Sequence, residues 1–214
     1  MTVQVKICGV SHPDAVLAAV KGGARYIGLV FYERSPRHVA PPLAAELSRM
    51  VPTGIRTVGL FVDPSDEYLE HVVTQVPLDL LQLHGDEQPG RVAGIKSLFS
   101  MPVMKAIKVS TPEDLAAADA YADVADRLLF DAKPPAKVSA LPGGNGIAFD
   151  WTILTGRRWS KPWMLSGGLT IGNVGEAIAV SGAASIDVSS GVEDRPGHKD
   201  PAMIRDFLRA AGRG

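Results

Sequence analysis

The segment Val3-Gln-Val-Lys-Ile-Cys-Gly-Val10 decides which parallel-sheet fold the chain favours. Its apolar and polar residues alternate, as they do in a β-strand with two different faces. An open, doubly wound sheet usually has a glycine-rich turn of the GxGxxG kind after its first strand. Here Cys8, Gly9 and Val10 follow the strand instead. The segment therefore argues against an open sheet.

Short apolar, β-branched runs like this one recur along the whole chain and predict strands. The eight runs are Val3–Ile7, Tyr26–Phe31, Thr57–Val62, Leu78–Leu83, Val103–Ile107, Arg127–Asp131, Trp163–Ser166 and Ser185–Val188. Between them lie segments with helical spacing and helix start signals, such as Ser11-His-Pro-Asp, Pro64-Ser65 and Thr111-Pro-Glu-Asp. Eight alternating strand and helix units predict an α/β fold, a single (β/α)8 TIM barrel. We expect residues 1–214 to form one catalytic domain, with the open sheet as the alternative.

Composition excludes several classes of function. The 22 basic and 23 acidic residues nearly cancel, so we expect neither a nucleic acid nor a membrane surface as partner. Cys8 is the only cysteine, which rules out an internal disulfide or a zinc cluster built on cysteines. We find no signal peptide, no transmembrane run and no metal-binding pattern, and predict a cytoplasmic protein without a metal.

Cys8 is the first candidate for chemistry. Alternation places Val3, Val5 and Ile7 toward the helices, and Gln4, Lys6 and Cys8 toward the barrel axis. Active sites of such barrels lie at the C-terminal ends of the strands, where Cys8 would be. We hypothesise that Lys6 lowers the thiol pKa and makes Cys8 a usable base. Alternatively, Cys8 is a small buried hydrophobe.

Asp131 is the second candidate. It ends the run Arg127-Leu-Leu-Phe-Asp, where four largely apolar residues lead into the core. Burial there would favour the protonated carboxyl group, which can act as a general acid. The alternative is that Asp131 caps the loop that follows.

Two glycine-containing turns follow the last two predicted strands: Ser166-Gly-Gly-Leu-Thr and Asp187-Val-Ser-Ser-Gly-Val-Glu. In (β/α)8 barrels the loops after strands seven and eight frequently bind phosphate through backbone N–H groups. Gly167, Gly168 and Gly191 would let that backbone approach a phosphate closely, although tight turns alone would also explain them.

Two further polar residues follow predicted strands. Arg37 lies after the second strand, and its fork of donors suits a substrate carboxylate. His84 ends Leu81-Gln-Leu-His and either binds substrate or, as we favour from position alone, satisfies a strand-end carbonyl. Gly143-Gly-Asn-Gly-Ile is either a flap over the pocket or a rigid turn. We expect Lys133 to be a solvated loop lysine outside the site.

These residues lie in segments that together resemble the phosphoribosylanthranilate isomerase family over nearly the whole chain. The similar segments are Lys6-Ile-Cys-Gly, Gly28-Leu-Val-Phe, Ser35-Pro-Arg, Val58-Gly-Leu-Phe-Val, Leu81-Gln-Leu-His-Gly, Gly143-Gly-Asn-Gly, Phe149-Asp-Trp, Leu165-Ser-Gly-Gly-Leu and Asp187-Val-Ser-Ser-Gly-Val-Glu. They occur in the family's order, and we recognise no departure at a position that the family uses for catalysis.

The resemblance implies an isomerase of tryptophan biosynthesis that needs no cofactor. The reaction would be the Amadori rearrangement of N-(5-phosphoribosyl)anthranilate, with Cys8 as general base and Asp131 as general acid. Arg37 would pair with the anthranilate carboxylate, while His84 and Asp187 would contact the anthranilate or the opened sugar. By the same resemblance, backbone groups would hold the phosphate at Gly167, Gly168, Ser190 and Gly191.

Two rival interpretations stay open at this point. One is another phosphosugar-binding barrel enzyme, such as one resembling indoleglycerol phosphate synthase, although no glutamate ends any of the eight runs. The other is a non-catalytic barrel that binds a sugar phosphate. In each case we expect a small phosphosugar as partner and either a monomer or a homodimer.

Overall fold

Eight parallel strands close into a barrel, in chain order, in the computed structural model, which describes residues 3–133, 143–144, 146 and 148–212. The strands are β1 (Gln4–Cys8), β2 (Tyr26–Phe31), β3 (Arg56–Phe61), β4 (Leu80–Leu83), β5 (Val103–Val109), β6 (Arg127–Ala132), β7 (Trp163–Leu165) and β8 (Ser185–Val188). Pairing of β1 with β8, with Gln4 opposite Ser185, closes the ring. The predicted (β/α)8 barrel is confirmed, and the open sheet is excluded.

Helices follow most of the strands and cover the outside of the barrel. They are α1 (Pro13–Lys21), α2 (Pro41–Arg49), α3 (Asp66–Val73), α4 (Pro89–Phe99), α5 (Ala116–Asp119), α6 (Val174–Ser181) and α7 (Pro201–Ala211). Four of them begin with proline, whose missing N–H needs no partner in the first turn. Ser65 caps α3 by accepting from the Tyr68 N–H, as predicted. Ser11 does not cap α1, because the chain enters that helix one residue later, at His12.

Some units depart from the regular pattern. After β5 the helix is a 3-10 turn, Pro112–Leu115, followed by the single turn of α5. After β6 the described residues contain only a 3-10 turn, Trp151–Leu154. A hairpin of β9 (Glu193–Arg195) and β10 (His198–Lys199), which the sequence pattern did not predict, follows β8.

Alternation along the strands separates two apolar layers. Val5 and Ile7 of β1 belong to the large core between strands and helices. The barrel interior is filled by a second cluster, Tyr26, Val58, Leu80, Met104, Ala106, Leu129 and Met164. Cys8 packs above it with Val30 and Leu60. Because the interior is filled, a ligand has room only at the ends of the barrel.

No helix within the described part of the chain has the length and apolar character that crossing a bilayer requires.

Candidate active site

A cavity opens at the C-terminal ends of the strands, and the predicted site residues converge on it. Eight of the nine line its wall: Cys8, Arg37, His84, Asp131, Gly167, Gly168, Asp187 and Ser190. Gly191 does not line it. A Cβ at Gly191 would overlap the carbonyl oxygen of Leu169, so this glycine instead lets the loops after β7 and β8 pack together.

Cys8 lies above a buried ion pair. Lys6 is fully buried in the barrel interior, as alternation predicted, and its Nζ donates to Asp187 Oδ1 at 2.9 Å. Burial raises the pKa of the Cys8 thiol above its ordinary value, because the charge of Lys6 lowers it only in part and Asp187 raises it further. Our hypothesis that Lys6 brings the thiol pKa below its ordinary value is therefore wrong, because the pKa that results from all these influences is raised. Lys6 still favours the thiolate, but burial outweighs it.

Asp187 is positioned by two neighbours. Besides the bond from Lys6 to Oδ1, the hydroxyl of Ser166 lies 3.4 Å from its Oδ2. Burial alone would lower the pKa of Lys6, but Asp187 and Cys8 hold it above its ordinary value. Lys6 therefore stays charged at neutral pH, paired with the Asp187 carboxyl group at the cavity floor.

Asp131 lies across the cavity from Cys8 and belongs to a hydrogen-bonded chain of buried side chains. His84 Nε2 is 3.0 Å from Asp131 Oδ2, and Gln82 Nε2 is 2.9 Å from His84 Nδ1. Among the described residues, Asp131 Oδ1 accepts only from the adjacent Ala132 N–H at 3.0 Å, so the carboxyl group faces the cavity rather than capping a loop. His84 binds these side chains, so our favoured alternative of a strand-end carbonyl partner is wrong.

Arg37 meets a carboxylate of the protein itself. Its Nε and Nη2 donate to the two carboxylate oxygens of Glu193 at 2.8 and 2.9 Å, and Lys199 pairs with the same carboxylate. Burial would raise the pKa of Glu193, but Arg37 and Lys199 hold it below its ordinary value. Burial lowers the pKa of Lys199, and Glu193 only partly opposes this. We did not predict Glu193 or Lys199 as site residues.

Glycines bring two loops close to these groups. Gly167 has φ +92°, and a Cβ there would lie 2.7 Å from the Ala132 nitrogen. A Cβ at Gly143 would lie 2.8 Å from His84 Nε2 and 3.0 Å from Asp131 Oδ2. The carbonyl oxygen of Gly144 accepts a hydrogen bond from Arg37 Nη2 at 3.1 Å. The loop after β6 thus covers the acid side of the cavity, in keeping with a flap. Asn145 and Ile147 of the predicted flap lie outside the described residues.

Two other predictions concern Lys133 and a metal site. Lys133 is exposed and pairs with Asp114 at 2.7 Å, away from the cavity wall. Among the described residues, no group of three or more histidine, cysteine, aspartate or glutamate side chains is placed to hold a metal ion.

A closed barrel with a thiol, a carboxyl group and glycine-rich turns at its C-terminal face defines the class, a (β/α)8-barrel enzyme. The family model for N-(5'-phosphoribosyl)anthranilate (PRA) isomerase matches residues 5–210, and the chain belongs to this family. The predicted resemblance and the predicted isomerase activity are thereby confirmed. The two rival interpretations are set aside.

Comparisons with individual relatives support the family assignment. The N-(5'-phosphoribosyl)anthranilate isomerase of Rhodospirillum centenum is 65% identical over 211 residues, which is 99% of each chain. The crystal structure of phosphoribosyl anthranilate isomerase from Thermotoga maritima superimposes with a TM-score of 0.87, at 36% identity and 98% coverage of each chain. A second isomerase structure, in complex with reduced 1-(o-carboxyphenylamino)-1-deoxyribulose 5-phosphate, has a TM-score of 0.84 at 34% identity, again with 98% of each chain covered.

Proposed function

We propose that Cys8 is the general base and Asp131 the general acid of the Amadori rearrangement of N-(5-phosphoribosyl)anthranilate. The observation that carries this proposal is their placement. Cys8 ends β1 and Asp131 lies near the end of β6, two strands that are not neighbours, yet both side chains line one cavity. A sugar between them is therefore within reach of an acid on one side and a base on the other.

The reaction divides into two proton transfers. Asp131 gives its proton to the ribose ring oxygen as the C1–O bond breaks, and the anilino nitrogen lone pair forms a C1=N iminium. Cys8 then removes the proton from C2, and the C–H electron pair neutralises the iminium to give an enolamine. Tautomerisation yields 1-(2-carboxyphenylamino)-1-deoxyribulose 5-phosphate. Atoms and electrons balance within the substrate, so one acid and one base suffice.

The surroundings of Cys8 suit a base whose thiolate form exists only briefly during the reaction. Burial holds the resting group as a thiol, whereas the ammonium of Lys6 favours the thiolate that must attack C2. Asp187 holds Lys6 in place through the 2.9 Å bond. Lys6 thus acts on the base through its charge, at a fixed position below the cavity.

Substrate binding divides between an anionic and an apolar part. Backbone groups of Gly167, Gly168 and Ser190 line the cavity near β7 and β8 and would hold the phosphate. Gly191 would contribute indirectly, by letting its loop pack on Leu169. An apolar wall suits the anthranilate ring, and its members are Val30, Tyr32, Leu60 and Val62.

Arg37 would pair with the anthranilate carboxylate, and His84 and Asp187 would contact the anthranilate or the opened sugar. The network of Arg37, Lys199 and Glu193 has two cations for one carboxylate, an excess of one positive charge that favours an anion.

The remaining features of the proposal follow from composition. Residues 1–214 act as one catalytic domain on a small phosphosugar, without a cofactor, a metal or a nucleic-acid partner. A reducing cytoplasm suits the single free thiol of Cys8. Both a monomer and a homodimer are compatible with a site built from one chain.

Anthranilate fluorescence tests the roles of the two residues. Wild type, Cys8→Ala and Asp131→Asn are mixed with phosphoribosylanthranilate generated in place, with a downstream synthase draining the product. We expect each variant to lose about 10²-fold or more in kcat. Lys133→Met, a change at an exposed lysine outside the cavity, is the control and keeps wild-type activity. A folded Cys8→Ala or Asp131→Asn variant with wild-type kcat would refute the assignment.

A further inference from the structure

Gln82 brings a carboxamide into the largely apolar interior of the barrel. It lies in β4, is 0% exposed, and shares its strand face with Leu80 of the interior cluster. Its Oε1 has no hydrogen-bond partner among the described residues. An unpaired buried acceptor destabilises the fold, and an apolar residue of similar size would avoid this cost. The side-chain contact that Gln82 makes is with His84.

With its amide nitrogen facing the ring, Gln82 selects one tautomer of His84. The Gln82 amide nitrogen has only hydrogens to offer, so His84 Nδ1, at 2.9 Å, must accept with its lone pair. A neutral imidazole has one N–H, which is then on Nε2. Nε2–H donates to Asp131 Oδ2 at 3.0 Å.

The reverse orientation of the amide fits the site less well. With Oε1 on His84, Nδ1 would hold the proton, and the whole NH2 group would take the unpartnered place. Nε2 would then be a bare acceptor facing Asp131 Oδ2. The acid proton would be shared between Oδ2 and Nε2, turned away from the cavity.

The orientation that the structure has also disfavours a charged His84. A proton on Nδ1 would face an amide N–H at 2.9 Å, two donors with no acceptor between them. An imidazolium beside Asp131 would hold that carboxyl group ionised, which is the wrong state for a general acid. Among the described residues, the other ionisable groups on the cavity wall make no hydrogen bond with His84; they are Cys8, Tyr32, Arg37 and Asp187.

We infer that Gln82 is a positioning residue that keeps His84 neutral with its proton on Nε2, so that the transferable proton resides on Asp131. Asp131 Oδ2 accepts from Nε2–H, and the acid proton occupies Oδ1. After proton transfer, the same Nε2–H stabilises the carboxylate without competing for the proton. This inference rests on the proposed role of Asp131 as general acid.

Nitrogen-15 NMR of histidine-labelled protein tests the inference directly. The chain has five histidines, and the spectrum of His84→Asn identifies the signals of His84 by their loss. We expect ligand-free wild type to show a protonated Nε2 and an unprotonated Nδ1 from pH 6 to pH 8. In Gln82→Glu a carboxylate faces Nδ1 and accepts a hydrogen bond from a protonated Nδ1–H, so we expect both ring nitrogens to be protonated.

Kinetics provides the second readout. We expect Gln82→Glu to lose about 10²-fold in kcat, the usual contribution of a general acid, with KM changed less than about twofold. The falling alkaline limb of its kcat profile moves to lower pH, because the imidazolium helps Asp131 lose its proton. Gln82→Met, of similar length but with no acceptor, is the matched control. It loses less activity than Gln82→Glu and does not gain the second ring proton.

Two results would overturn the inference. One is a wild-type spectrum that shows His84 protonated on Nδ1, either as the Nδ1–H tautomer or as an imidazolium. The other is a Gln82→Glu variant whose spectrum and kcat pH profile are the same as those of wild type. If Gln82→Glu fails to fold, the wild-type and Gln82→Met spectra still decide the tautomer. Activity in Asp131→Asn would contradict the proposed acid, whereas the ligand-free spectra would still decide what Gln82 does to His84.

Discussion

Replacing Lys6 by methionine removes one partner of the ion pair at the cavity floor. Lys6 is 0% and Asp187 4% exposed, and their Nζ–Oδ1 distance is 2.9 Å. Methionine fills most of the space but leaves the Asp187 carboxylate buried, where the remaining side-chain contact among the described residues is the hydroxyl of Ser166 at 3.4 Å. Removing one member of a buried pair costs about 3–5 kcal/mol. We therefore expect Lys6→Met to lower the free energy of unfolding by about that amount.

Urea denaturation followed by circular dichroism measures this loss. The double variant Lys6→Met/Asp187→Asn leaves no unpaired charge, so we expect it to be more stable than Lys6→Met alone. Lys108→Met is the matched control, because Lys108 pairs with Asp86 at 2.8 Å on the exposed surface. A surface pair contributes about 0–1 kcal/mol, and the control should lose no more than that.

The thiol of Cys8 reports the same perturbation independently. The charge of Lys6 lowers the pKa of Cys8 although burial raises it overall, so Lys6→Met must raise that pKa further. Since Cys8 is the only cysteine, its alkylation by iodoacetamide measures the thiolate directly. The rate at a given pH should fall in Lys6→Met. A loss of stability no greater than that of Lys108→Met, together with an unmoved alkylation profile, would refute the reasoning.

Two other substitutions test residues that pack beside the cavity. Glu193→Gln leaves Arg37 and Lys199 as unpaired buried cations, so unfolding assays should show a loss of about 3–5 kcal/mol at neutral pH. The folded-state pKa of Glu193 lies below its ordinary 4.5, so this stabilisation is present above that pH and is lost as pH falls through the lowered value. Wild type should therefore lose stability with acid more steeply than Glu193→Gln, and parallel curves would contradict this. Gly191→Ala should raise KM and destabilise the fold, because its Cβ overlaps the Leu169 carbonyl, whereas Gly175→Ala has open space and should be neutral or stabilising by up to about 1 kcal/mol. Equal effects of the two alanines in kinetics and unfolding would argue against the described packing of the loops.

The strands were predictable because burial on both faces requires continuous apolar sequence. The run Tyr26–Phe31 is buried at every position and coincides with β2. The hairpin of β9 and β10 lacks this signal, because Glu193–Arg195 and His198–Lys199 consist of charged and polar residues. Its backbone pairing is local, and its apolar contribution is small. The spacing of apolar residues therefore does not predict this hairpin.

The site was predictable where a polar residue interrupts an apolar strand at its C-terminal end. Cys8 and Asp131 both meet this condition, and the structure brings both to the cavity. The partner of Arg37 was not predictable, since Glu193 lies 156 residues away and meets it only through closure of the barrel. Gln82 could have been found, because it occupies the same inward face of its strand as His84.

Buried charges beside the cavity are paired within the protein. Lys6 and Asp187 form an ion pair below Cys8, and His84 Nε2 lies 3.0 Å from Asp131 Oδ2. The network around Arg37 differs, because within the part of the chain that the structure describes it holds two cationic side chains for one carboxylate. A substrate with a carboxylate and a phosphate is anionic at both ends, so an excess of positive charge there would attract it. Removing Glu193 would strengthen that attraction while destabilising the fold, which separates the electrostatic role of the network from its structural one.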